Sequence, residues 1–362
     1  MNIQLLLEQD PYGYTMKEKQ KIFFLAMKES FDFHYNGNSI FRKWLDQINY
    51  KKPINTIEDF PFFPSSVFKH VNFSDESKSY KTIESSGTSN QLKSKIHIDS
   101  TTSKRQTVVL SKILESLIGK RKPFFIIDFD PKNNRSSENY SARFAGMSGY
   151  LLGASKRIYC LSNENNDKID IDFIKAIRKY KDEQKPIIII GYTYMIYKFL
   201  ISNRFFNQIP ELPKESKIIH FGGWKKMYDQ RISKKDFNNQ LIKIFKVGLN
   251  DIFDIYGFTE QLGTVYPSIG NKGNKIPIYS SVIVRNPDTL EPVDDGEEGL
   301  LQFLSPIPHS YPGISLLNDD IGRIVKNGSN NNIRELEFEV TGRPDKAEPR
   351  GCGDTLPEDY YL

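Results

Sequence analysis

The feature that most limits how this chain can fold is an alternation running from about residue 50 to residue 260. Short apolar runs (FFIIDFD, RIYCL, PIIIIGY, KIIHFGG, DIFDIYG) are separated by stretches with apolar residues at helical spacing (SKRQTVVLSKILESLIG, IDIDFIKAIRKY, YMIYKFLIS, DFNNQLIKIF). Continuous apolar runs bounded by helices fit strands covered on both faces, so the pattern predicts an α/β fold with mostly parallel sheets flanked by helices. Residues 14 to 49 read as helices, from KQKIFFLAMKESF and SIFRKWLDQI. Beyond residue 276 the texture becomes strands and tight turns, as in YSSVIVRNPDTLEPVDDGEEGLLQFLS and RELEFEVTGR. The expected organisation is a helical N-terminus and α/β core over 1–276, a small β subdomain over 277–341, and a hinge-like tail over 342–362 carrying Cys352.

Composition sets the class of protein. The 362 residues, 38% hydrophobic and 13% aromatic, can build a large core and exclude a disordered chain. No run reaches the roughly 18 unbroken apolar residues of a membrane span, and MNIQLLLEQDPYGY lacks the basic flank and cleavage site of a signal peptide, so a cytoplasmic location is expected. Cys160 and Cys352, the two cysteines, have no metal-ligand spacing and suggest no disulfide framework. The net charge of +5 is scattered; it suits anionic ligands such as nucleotides and does not point to nucleic acid.

One segment, IESSGTSNQLKSKIHID (83–99), invites a chemical reading. YKTIE before it and SKIHID within it read as strands, so the residues from Ser85 to Asn90 form a turn between them. Small residues allow backbone N–H groups to approach an anion, hydroxyls add donors, and Lys93 can neutralise charge. The same residue types favour turns without any ligand. Further along, Gly222 and Gly223 in HFGGWKKM would permit close backbone approach to a ligand or simply end a strand. Glu260 could hold a hard cation bridging phosphates, and Asp320 could bind a ribose diol or only begin a turn. His220 and His309 have no visible partners in the sequence and read as structural. Aromatic-rich stretches around Phe144, Tyr150 and Tyr192 to Tyr197 are candidates for an apolar tunnel wall, with ordinary core as the alternative.

Four of these stretches, in order, resemble motifs of the adenylate-forming superfamily of acyl-CoA synthetases, firefly-type luciferases and peptide-synthetase adenylation domains. Ser86-Gly87-Thr88-Ser89-Asn90-Gln91-Leu92-Lys93 resembles its phosphate loop, with Asn90 in place of a glycine and Leu92 in place of proline. YGFTEQLG resembles the Tyr-Gly-x-Thr-Glu motif, and the resemblance implies that Tyr256 with Gly257 lies near adenine, Thr259 touches the α-phosphate and Glu260 holds Mg²⁺. LNDDIGRI puts Asp320 on the ribose-gripping aspartate; GRPDKAEPRGCGDTLPED puts Arg343 on a ribose-contacting arginine and Asp345 on the hinge aspartate. Gly222, Gly223 and Trp224 would line the adenine side.

Most superfamily members carry a further C-terminal domain with a catalytic lysine, whereas here the sequence stops ten residues after Cys352. With IEDFPFFPSSVFKHVNF upstream and FGGWKKM in the middle, the chain resembles LuxE-like acyl-protein synthetases, the fatty-acid-activating component of bacterial bioluminescence reductase complexes. That resemblance implies ATP- and Mg²⁺-dependent activation of a fatty or other carboxylic acid to acyl-AMP and transfer of the acyl group to Cys352. It leaves Lys93, Lys225 and Lys346 open as the lysine that stabilises charge, and a reductase, a transferase or a carrier protein open as the acyl acceptor. Two other readings stand beside it: a ligase that delivers acyl or aryl groups to CoA or a carrier protein, and a degenerate homologue that binds nucleotide without turnover.

Overall fold

The computed structural model describes residues 2–50, 53–74, 79–84, 94–131, 144, 146–161, 169–202, 209–326 and 336–342. Three helices open the chain: α1 (Asn2–Glu8), α2 (Met16–Gly37) and α3 (Ser39–Gln47). Thr15 starts α2 with a reciprocal cap, its side chain accepting from the Glu18 amide while the Glu18 carboxylate accepts from the Thr15 amide. After β1 (Phe63–Pro64) come β2 (Lys81–Glu84) and β3 (Lys95–Ile98), an antiparallel pair whose connecting residues, 85–93, lie outside the described ones. The strand reading on either side of the Ser-Gly-Thr segment therefore holds.

Helix α4 (Ser100–Ile118) follows, capped by Asp99, whose carboxylate accepts from the Thr102 amide at 2.7 Å. Its buried Val109, Ile113, Leu114 and Leu117 form the apolar stripe that faces the core. Then come β4 (Lys122–Phe129), β5 (Ala154–Leu161), α5 (Ile171–Asp182), β6 (Ile188–Tyr192), α6 (Thr193–Ile196), β7 (Lys217–Phe221), α7 (Lys234–Phe245) and β8 (Ile252–Tyr256). Strands β5, β4, β6, β7 and β8 lie side by side and parallel. Every residue of β6 is buried, as expected of a β-branched run between two covered faces.

At β9 (Tyr266–Ile269) the sheet turns antiparallel and continues through β10 (Asn274–Lys275), β11 (Ser281–Arg285), β12 (Gly299–Leu304), β13 (Ser315–Lys326) and β14 (Leu336–Gly342). The order is β11-β12-β13-β14-β10-β9-β8-β7-β6-β4-β5, with β1 parallel to β13 at one side, a sheet of 12 strands among the described residues. The strand-rich end thus continues the main sheet while keeping a smaller core of its own: Tyr266, Ile276, Val282, Val284, Leu301, Phe303, Ile324 and Phe338.

The N-terminal segment docks on the connection between β10 and β11. Tyr14 donates its hydroxyl to the Ile276 carbonyl, the Ile278 amide donates to the Pro11 carbonyl, and buried Lys19 donates to the Pro277 carbonyl at 3.1 Å. Burial lowers the Lys19 amine to about 7. Neither α1 nor the β1–β13 pairing was read from the sequence.

Candidate active site

In an open parallel sheet the strands deliver their following loops to one edge, at the carboxyl ends. Strands β7 and β8 are neighbours, with Phe221 opposite Ile255, so the Gly222-Gly223-Trp224 segment and the Gly257-Phe258-Thr259-Glu260 segment leave the sheet side by side. Gly222 has φ +74°, a conformation strained for residues with a side chain, and a Cβ there would meet the Tyr192 ring at 3.1 Å. Gly222, Gly223 and Gly257 are exposed, Trp224 is half-buried, and the Trp224 ring meets Tyr197 edge-on with centroids 4.8 Å apart.

Thr259, Glu260 and Asp320 are all buried, at 7%, 5% and 4% exposure, next to this edge. Tyr256, the last residue of β8, donates its hydroxyl to Asp320 at 2.5 Å and accepts from the Asn318 amide at 3.1 Å. Its ring stacks on Phe303 with centroids 5.5 Å apart, so the smaller core sets the orientation of the ring. Glu260 accepts from the Ser94 hydroxyl at 2.8 Å through Oε1, while its backbone carbonyl accepts from the Tyr311 hydroxyl at 3.0 Å. Burial and the nearby Glu260 charge push the Tyr311 hydroxyl upward, so Tyr311 stays a neutral donor at any physiological pH.

Of the residues singled out in the sequence, the structure joins Tyr256 directly to Asp320 and sets Gly257, Thr259 and Glu260 in the segment that follows. Ser86, Gly87, Thr88, Ser89, Lys93, Arg343 and Cys352 lie outside the described residues, as do Asp345 and Lys346; Lys225 begins the short helix Lys225–Gln230. Cys160 is fully buried on β5, and burial drives its thiol well above the usual value, so it is an inert strand residue.

The two histidines do have partners. His220 Nδ1 lies 3.0 Å from the Thr193 hydroxyl and 3.6 Å from Asp254, and burial lowers its pKa. His309 Nδ1 lies 2.6 Å from the Asp99 carboxylate, and its ring stacks on Phe33 at 4.3 Å. These contacts bridge residues 27 and 210 positions apart, which no local pattern reveals.

Around the suggested tunnel wall, Tyr150 stacks on Phe221 at 4.5 Å and Tyr192 meets Phe221 edge-on at 4.7 Å, while Phe144 is half-buried against the main core. Sequence reasoning missed Ser94, Tyr311 and Asn318. Only Asn318 had a signal: it precedes Asp320 by two residues on a strand, hence on the same face.

No described helix is long and apolar enough to cross a membrane, and the described residues contain no group of three metal-ligating side chains. The fold is that of adenylate-forming ligases. A 2-hydroxyisobutyryl-CoA ligase whose structure holds 2-HIB-AMP superposes with a TM-score of 0.63 at 11% identity, over 92% of this chain and 70% of that one. The sequence is also 25% identical to a long-chain-fatty-acid–luciferin-component ligase of Aliivibrio fischeri, over 96% of this chain and 91% of that protein. The enzyme of the same description from Vibrio harveyi is 25% identical over 88% of this chain and 83% of its own length. The model of the family described as acyl-protein synthetase, LuxE, matches residues 2–361, and the chain belongs to that family. It is a ligase that activates an acyl group with ATP.

Proposed function

We propose that this ligase activates a fatty or related carboxylic acid as acyl-AMP and passes the acyl group to the thiol of Cys352. A carboxylate is a poor electrophile. It attacks the α-phosphorus of ATP, pyrophosphate leaves, and the resulting mixed anhydride is open to a nucleophile. The Cys352 thiolate then attacks the acyl carbon, the acyl–phosphate bond breaks, and AMP leaves with the electron pair. The thioester keeps most of the activation for a later acceptor such as a reductase, a transferase or a carrier thiol.

The observation that carries this reading is the contact between Tyr256 and Asp320 beside buried Glu260. An aromatic ring with its hydroxyl held by a carboxylate suits an adenine and ribose pair. A single buried carboxylate on the next segment suits Mg²⁺, which is usually held by one or two carboxylates together with substrate phosphates. In this reading Glu260 holds the ion, which offsets charge on the phosphates. Thr259 meets the α-phosphate, Ser86 to Ser89 with Lys93 cradle the phosphates, Gly222 to Trp224 flank adenine, and Arg343 contacts ribose. The names of the two bacterial relatives favour a long-chain acid.

The experiment is carboxylate-dependent exchange of labelled pyrophosphate into ATP, followed by acyl labelling of the protein. With ATP, Mg²⁺ and a labelled fatty acid, wild type and Cys160→Ser should both take up hydroxylamine-sensitive label. Cys352→Ser should exchange pyrophosphate yet stay unlabelled. Label persisting on Cys352→Ser would exclude that cysteine, and exchange without any protein label would direct acyl-AMP to CoA or a carrier protein. No exchange with fatty or aryl acids would favour a nucleotide-binding homologue without turnover.

A further inference from the structure

Glu260 is held at two points, its carboxylate by one residue and its backbone carbonyl by another. Ser94, fully buried and directly after residue 93, donates its hydroxyl to Oε1 at 2.8 Å. Tyr311, also buried, donates to the Glu260 backbone carbonyl at 3.0 Å. The approach of Tyr311 depends on Gly313, where a Cβ would stand 2.3 Å from the Tyr311 ring and 3.1 Å from the Glu260 carbonyl oxygen. The main chain of Glu260 is thereby held in place while one of its two oxygens is engaged. A hydrogen bond to an ionised carboxylate is about twice as strong as a neutral one.

Resting on the reading of Glu260 as the metal-holding carboxylate, we infer that Ser94 is a positioning residue that keeps Glu260 a one-oxygen ligand and so selects Mg²⁺ over larger cations. Mg²⁺ demands a compact octahedral shell and takes carboxylates through single oxygens, whereas Ca²⁺ accepts a carboxylate through both oxygens at longer range. Removing the Ser94 hydroxyl frees Oε1. The carboxylate can then turn both oxygens to the ion, a geometry that suits the larger cation. If Ser94 merely satisfied a buried acid, its loss would lower stability and leave the ratio of metal affinities alone.

The test measures metal binding directly on the full chain. Free Mn²⁺ is followed by electron paramagnetic resonance with α,β-methylene-ATP present, and Mg²⁺ or Ca²⁺ is added as competitor. Ser94→Ala should weaken Mg²⁺ competition roughly tenfold, the lower end of what outer-shell partners of a metal ligand contribute, while Ca²⁺ competition holds or improves. Ser94→Thr, which keeps the hydroxyl, should restore the wild-type ratio. The half-saturating Mg²⁺ for pyrophosphate exchange should move with the binding data. An unchanged Mg²⁺-to-Ca²⁺ ratio in Ser94→Ala overturns the inference, whatever the variant does to rate or melting temperature. If Ser94→Ala does not fold, Ser94→Cys, similar in size and a weaker donor, must shift the ratio in the same direction or the inference falls. Wild type that neither binds Mn²⁺ with the nucleotide nor exchanges pyrophosphate overturns the underlying reading instead.

Discussion

The parallel half of the sheet, β4 to β8, and the antiparallel half, β9 to β14, are hydrogen-bonded into one surface but contribute differently. The parallel half is buried on both faces along its central strands β4 and β6 and delivers loops to one edge; Gly222, Gly257, Thr259 and Glu260 all sit in segments that follow its strands. The antiparallel half supplies braces: Asp320 and Asn318 for the Tyr256 hydroxyl, Phe303 for its ring, and Tyr311 for the Glu260 backbone. Residues proposed for the site on one half are thus held by side chains on the other, and the seam at β8–β9 is where the two meet.

The two halves differ most measurably in their cores. Phe303→Ala and Ile219→Ala each remove a fully buried side chain, one from each half. They should cost about 3–5 and about 2–5 kcal/mol respectively. If the halves share one cooperative unit, both variants lower a single urea transition by every probe. Two separable transitions would divide the sheet at the seam.

Next in size, Glu260→Gln should slow pyrophosphate exchange about a hundredfold or more, in the range seen for loss of one group that stabilises developing charge. Its melting temperature should change little, because Gln can still accept from Ser94. Exchange at the wild-type rate would remove Glu260 from the chemistry. Asp320→Ala, on the bracing half, should instead raise the KM for ATP by about tenfold with a smaller change in kcat, as expected for lost ground-state binding. Unchanged ATP kinetics would reduce Asp320 to a partner of Tyr256.

The smallest effect concerns Asp99, which ties His309, from the β12–β13 connection, to the start of α4. Burial by itself would raise the Asp99 pKa, but hydrogen bonds from Thr102 and His309 outweigh it and hold the carboxyl below its ordinary value. The unfolded chain therefore takes up the proton first on acidification. The contribution of Asp99 is present above about pH 4, the ordinary aspartate value, and is lost as pH falls through the lower folded-state pKa. Asp99→Ala should cost about 1 kcal/mol at neutral pH, typical of a lost N-cap, and the difference from wild type should shrink toward pH 3 in urea titrations. A constant difference at both pH values would detach the effect from ionisation.

How far the sequence was legible follows the same division. PIIIIGY and KIIHFGG announce β6 and β7 because central parallel strands need no alternation, and the Tyr-Gly-x-Thr-Glu stretch is contiguous, so it can be read without a structure. The braces are not contiguous. Ser94 meets Glu260 across 166 positions, and Tyr256 meets Asp320 across 64. A lone Ser or Tyr in an ordinary strand or loop carries no mark of such a contact. The pairing of β1 with β13 and the docking of α1 were invisible for the same reason, since β1 has only two residues. The two histidines appeared isolated because their partners come from other elements.

That distance has a consequence in time as well as space. The N-terminal helices are made first, yet the carbonyl that receives the Tyr14 hydroxyl belongs to a residue 262 positions later. At a synthesis rate of about 5–20 residues per second, Tyr14 waits roughly 10–50 s for that partner. Throughout that interval α1 and α2 can pack on each other and, through Phe24 and Phe31, on Phe41 and Phe60, but Tyr14 and Lys19 lack the carbonyls that anchor them. A ribosome-bound chain arrested near residue 270 should therefore be cut by protease around Tyr14 more readily than one arrested after β13 has cleared the exit tunnel.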